Sequence, residues 1–96
     1  MLQELMTEHQ RLAILRLLAE DSGYDLNESI LHDGVNALGL DISRDQLRTQ
    51  LAWLSEQGCV QLDKVGSVQV AKLTERGLDA ANGRARIPGI KRPTPK

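Results

Sequence analysis

Phenylalanine is absent from this 96-residue chain, and its only aromatic side chains are Trp53 and Tyr24. A core must therefore be assembled from leucine, isoleucine and valine. Cysteine is nearly as scarce. The single Cys59 excludes an internal disulfide and fits a reducing cytoplasm. No apolar run approaches the roughly 18 residues that cross a bilayer, so no membrane partner is expected. Acidic Glu4 and Glu8 stand where a secretory leader would carry a basic segment. Metal and catalytic patterns are missing as well. His9 and His32 have no ligand-like spacing to each other or to Cys59. Gly66 and Ser67 are too short a pair to form a phosphate-binding loop. Glu20 and Asp21, at an expected helix end, read as the solvated start of a loop rather than an acid-base pair. The expectation is a non-catalytic protein with no cofactor and no metal.

What is present is an ordinary globular composition, 41% apolar and 26% charged, of a length that supports one small core. The net charge of −1 conceals a division. Five bases (Arg84, Arg86, Lys91, Arg92 and Lys96) and no acid follow residue 83, leaving seven bases against thirteen acids before it. Residues 1–40 are the most acidic part, with seven acids against Arg11 and Arg16. An acidic body counts against strong non-specific nucleic-acid binding.

Three helices are legible before residue 58. Leu2, Leu5, Met6, Leu12, Ile14, Leu15, Leu17 and Leu18 form a wide helical stripe that ends before Asp21, Ser22 and Gly23. The spacing of Thr7 and Gln10 allows a capping box with a start near Glu8, although a start near Leu5 is preferred. Asn27 is a good N-cap for a second helix reaching about Leu38, with Leu26 and Leu31 as a hydrophobic staple. Its inner face is expected to carry Ile30, Leu31, Val35 and Leu38, and Gly39 closes it. Gly34 either weakens this helix by about 1 kcal/mol or permits close packing against a neighbour. The third helix, about residues 43–57, has the strongest signals. Ser43 and Gln46 form a capping box inside an Ile42/Leu47 staple, Leu47, Leu51 and Leu54 face inward, and Gly58 ends it.

After Gly58 the period changes to two. Val60, Leu62 and Val65, then Val68 and Val70, describe a β-hairpin over about residues 60–72 with its turn near residues 65–67. Leu73, Thr74 and Leu78 repeat the cap-and-staple pattern and start a short helix that Gly83 closes. The expected order is helix, helix, helix, strand, strand, helix. That is a mostly α chain with a β-hairpin, an α+β winged helix-turn-helix at residues 1–83. A basic, proline-containing flexible tail is expected at 84–96.

The run from Ser43 to Val60 and the segment that follows resemble the winged-helix regulators of the ArsR and MarR type. In those families "Leu-x-x-x-Gly-hydrophobic-Val" enters the wing, as Leu54, Gly58, Cys59 and Val60 do here, and "Leu-Thr-x-x-Gly" leaves it, as do Leu73, Thr74 and Gly77. The small size and the ending Gly89, Ile90, Lys91, Arg92, Pro93 and Pro95 are similar to small winged-helix proteins of Mu-like phages and prophages. ArsR-type metal sensors carry paired cysteines in the recognition helix, and this helix has none. MarR-type proteins have long terminal dimerisation helices, for which this chain has little room.

The resemblance implies a sequence-specific, duplex-DNA-binding transcriptional regulator in the cytoplasm of a bacterial or phage-infected cell, acting as a homodimer. The third helix would enter the major groove and the wing would follow phosphates. The expected DNA-binding residues are Ser43, Arg44, Asp45, Gln46, Arg48 and Thr49 on the helix, with Lys64 and Ser67 on the wing. Arg44 and Arg48 lie one turn apart, and each suits a guanine edge or a phosphate. Asp45 either accepts from cytosine or repels the backbone. Trp53 packs on the first or last helix or serves a partner interface. The alternative function is an adaptor that holds a phage or host protein. On the DNA reading, Arg44→Ala and Arg48→Ala should weaken a salt-sensitive complex in a filter-retention assay while leaving the melting temperature unchanged.

Overall fold

The computed structural model describes residues 1–94. Four helices enclose one side of a three-stranded antiparallel sheet, an α+β fold. The elements are α1 (Leu2–Glu20), β1 (Asp25–Asn27), α2 (Glu28–Ala37), α3 (Arg44–Glu56), β2 (Val60–Val65), β3 (Val68–Leu73) and α4 (Glu75–Ala81). The order thus differs from the expected one by a strand between α1 and α2. β1 pairs with β3, Leu26 opposite Ala71, and makes β3 the central strand. Three residues ending in an N-cap are too short to show a period of two, and β1 owes its form to the edge that β3 offers.

Local signals set the helix starts. The Asn27 side chain accepts from the N–H of Ile30, and the Thr74 side chain accepts from the N–H of Gly77. Both halves of the Ser43/Gln46 capping box are formed. The Thr7/Gln10 box is not. α1 begins at Leu2, Thr7 Oγ1 donates to the carbonyl of Gln3, and Gln10 is buried with its amide donating to the carbonyls of Leu40 and Asp41. Gln10 therefore secures the turn between α2 and α3. Asn36 does the same from the other side, donating to the carbonyls of His32 and Ile42 while accepting from the N–H of Ile42.

The core is aliphatic. Ile14, Leu15 and Leu18 from α1 meet Leu31 and Val35 from α2, Leu47, Leu51 and Leu54 from α3, and Ala71 and Leu73 from β3. Gly34 resolves as a contact glycine: a Cβ there would lie 2.8 Å from Leu17 Cδ1, so its lack of a side chain lets α2 approach α1. The buried stripes are shorter than the apolar patterns of their helices. Leu2 and Leu5 are 72% and 50% exposed, and Ile30 and Leu38 are exposed as well. Among the described residues, no helix is long and apolar enough to cross a membrane.

The segment after α4 departs most from expectation. Residues 84–94 are not a free tail, because Ile87 and Ile90 insert into the core at 4% and 9% exposure. The remaining two residues of that stretch lie outside the described ones. The N–H of Lys91 donates to the carbonyl of Glu8, and Arg11 donates to the carbonyl of Gly89 at 3.0 Å. Gly89, at φ 98°, is required twice over. Its backbone is left-handed, and a Cβ would meet Trp53 at 2.8 Å and the Arg11 guanidinium at 2.9 Å. The core thus extends past residue 83 through a strap that crosses α1. Ile87→Ala should therefore lower the unfolding free energy by about 2–4 kcal/mol, read by urea denaturation. An unchanged denaturation midpoint would mean that the strap does not close the core.

Candidate functional site

The outer side of α3 and the neighbouring hairpin form the candidate site, and a carboxylate from another element organises them. Glu28 is the first residue of α2, yet its side chain is 0% exposed. Its Oε1 accepts from Arg48 Nε at 2.6 Å and from the Arg44 guanidinium at 3.3 Å, and its Oε2 accepts from the backbone N–H of Gln69 in β3. Arg44 also donates to Ser29 Oγ at 3.0 Å. One carboxylate therefore ties the start of α2 to the first two turns of α3 and to the hairpin. The Arg48 hydrogen bond holds the Glu28 pKa below its ordinary value. Burial opposes that shift, and the Gln69 N–H, the Arg48 charge and the Arg44 hydrogen bond add to it. Arg44 Nε and Gln69 Oε1, at the edge of this cluster, are buried without a protein hydrogen-bond partner among the described residues.

The arginines expected on a free outer face are therefore partly engaged. The Arg44 and Arg48 side chains are 41% and 49% exposed. Two guanidinium groups against one carboxylate leave the cluster with one net positive charge. Arg48 uses only Nε, and its two terminal nitrogens make no hydrogen bond among the described residues. The other expected contacts are distributed as follows. Ser43 and Gln46 satisfy each other in the capping box, so the Ser43 hydroxyl is already an acceptor for the helix N-terminus. Asp45 and Thr49 are exposed, with Thr49 Oγ1 donating to the carbonyl of Asp45. Lys64 and Ser67 are exposed on the hairpin, where Val65 pairs with Val68 across the two-residue turn of Gly66 and Ser67.

At ~100° per residue, Arg44 and Arg48 occupy one flank of α3, and Gln50 and Trp53 the other. Exposed Asp45, Thr49, Ala52 and Glu56 lie between them. On the Trp53 flank, Arg11 of α1 stacks over the indole at 3.7 Å and donates Nε to Gln50 Oε1 at 2.7 Å. Burial lowers the Arg11 pKa and the Glu8 charge opposes this, but an arginine so placed remains a cation. Trp53 thus packs on the first helix. Cys59 is buried, and burial raises its thiol pKa against the influence of Arg76, which makes it a poor nucleophile.

No family model matches the chain, and no solved structure matches it. Two curated proteins do. A protein of Escherichia phage Mu, gp26, is 46% identical over 96 residues, spanning 100% of this chain and 99% of its own. A protein of Haemophilus influenzae is 45% identical over 92 residues, covering 90% of this chain and 89% of its own. Both carry the description uncharacterized. The chain belongs to the phage Mu gp26 family.

Within this gp26-family fold, the sequence pattern points to the arginines and hides their organiser. Glu28 looks like any acid in a helix's first turn, and only the pairing of β3 brings Gln69 to it. The cluster overturns one expectation: Arg44 and Arg48 cannot be truncated without disturbing a buried charge, so their alanine variants should lose stability as well. Glu28→Gln should lower the unfolding free energy by about 2–3 kcal/mol, below the usual cost of breaking a buried pair because both arginines can rehydrate. A carboxylate whose pKa is lower folded than unfolded stabilises fully above the unfolded value and loses that contribution as pH falls through the folded one. The gap between wild type and Glu28→Gln should therefore narrow as urea titrations move from about pH 7 to about pH 3. A gap constant across that range would remove the charge from the explanation.

Proposed function

We propose that this chain is a non-catalytic winged helix-turn-helix protein that binds duplex DNA, with α3 as recognition helix and β2–β3 as wing. The observation that carries the reading is the Glu28 cluster. A buried carboxylate fixes two arginines at the start of α3 beside the hairpin and leaves each about half exposed, 41% and 49%. Arginines held this way lose less side-chain freedom when a phosphate or guanine edge is engaged. The short turn between α2 and α3, secured by Gln10 and Asn36, supports the helix-turn-helix assignment. The third strand β1 supports the wing by giving the hairpin a partner. Membership of a family that includes a phage Mu protein suits a phage or prophage protein, and a regulator acting as a homodimer is the role this reading assigns.

The exposed Leu2, Leu5, Ile30 and Leu38 favour a second reading, an adaptor that binds a phage or host protein through apolar contacts. Fluorescence anisotropy on a labelled random-sequence duplex separates the two. The DNA reading expects dissociation constants near micromolar at about 50 mM salt. Thr49→Ala and Lys64→Ala, both exposed positions, should weaken binding several-fold with the melting temperature unchanged. Absence of wild-type binding at about 10 μM protein in that buffer would discard the DNA reading in favour of the adaptor.

A further inference from the structure

We infer that the strap after α4 is a second contact surface for duplex DNA, gripping the phosphate backbone on the flank of α3 opposite the hairpin. The inference rests on the DNA reading above but on a different set of residues. The strap is docked by its apolar positions. Ile87 and Ile90 are in the core, Gly89 lies against Trp53, and backbone bonds join the strap to Glu8 and Arg11. What remains outward is of one sign. Arg84, Arg86 and Arg92 are exposed or partly so and Lys91 is half-buried. Residues 80–94 contain no acid. None of the ion pairs among the described residues involves these four cations, in contrast to Arg44 and Arg48.

Position gives these charges a use. The strap meets α3 at Gly89, on the Trp53 flank, while Glu28 ties the hairpin to the Arg48 flank. Strap and hairpin therefore bracket the exposed stripe of Asp45, Thr49, Ala52 and Glu56. That stripe carries no base of its own, so an anionic backbone would draw little attraction from α3 alone. Four cations that join no ion pair among the described residues supply that attraction at low ordering cost, because Ile87 and Ile90 hold the loop in place. Beside them, Arg92 shares an open groove of about 780 Å³ with Asn82, Thr94 and, on α1, the oppositely charged Arg16 and Glu20, so Arg92 is its net charge.

The test compares the wild type with an Arg84→Gln/Arg86→Gln/Lys91→Gln/Arg92→Gln variant on a random duplex across about 50–200 mM salt. Every phosphate that the variant no longer neutralises should flatten the plot of log affinity against log salt by about 0.9, so the slope should drop by about two to four, with affinity at low salt falling at least about tenfold. A charge-preserving Arg84→Lys/Arg86→Lys/Arg92→Lys variant should keep the wild-type slope, which separates charge from any damage to the strap's packing. An unchanged slope in the glutamine variant, with wild type binding normally, overturns the strap and leaves the α3 reading intact. A wild type that does not bind the duplex overturns both, and points to an acidic protein surface as the strap's partner. A lysine variant that binds as poorly as the glutamine one also overturns the charge argument.

Discussion

A fully buried carboxylate tolerates very little freedom around it. Left unpaired, Glu28 would impose a penalty of several kcal/mol, so α2, α3 and β3 can pack only where Arg48, Arg44 and the Gln69 N–H converge on it. Aliphatic packing alone would bring the same helices together but would allow small slides between them, since leucine faces are forgiving of register. The carboxylate removes that tolerance. It sets the hairpin's position against α3 as well as the conformations of the two arginines, and both are properties of the surface rather than of the core.

The same interaction shows why charge summed along a segment misleads about the surface. Glu28 contributes to the negative total of the first forty residues, yet it is neutralised internally and projects no charge to solvent. The positive charge that reaches the surface comes from elsewhere: the unshared part of the arginine pair, Lys64 and Lys72 on the hairpin, Arg16, Arg76, and the cations after α4. Net charge by segment is therefore a poor guide to the potential over any one face.

Legibility in the sequence follows the range of the forces involved. Caps act within three residues, so Asn27, Ser43 and Thr74 announce their helices. The hairpin is legible for the same reason, as an alternation broken by glycine. β1 is not, because its pairing partner lies more than forty residues away and its own three residues carry no period. Ile87 and Ile90 escape notice because an irregular strap has no periodicity, and two isolated isoleucines among prolines and bases look like solvent-exposed chain. Leu2 and Leu38 mislead the other way, fitting the stripe of their helices but staying 72% and 59% exposed. In the candidate site the arginines are visible and the residue that governs them is not. A buried acid and a solvated one are spelled identically.

The strap's attachment at Glu8 and Arg11 has a consequence for how the protein comes into being. The N–H of Lys91 reaches back to the carbonyl of Glu8, a contact between positions far apart in the sequence. While the chain is being made, α1 through α4 can emerge and collapse, but the part of the core that Ile87 and Ile90 fill stays open until residues 87–91 have been synthesised. The nascent protein therefore passes through a state with an open apolar face, and a chain that stops before the strap keeps that face open.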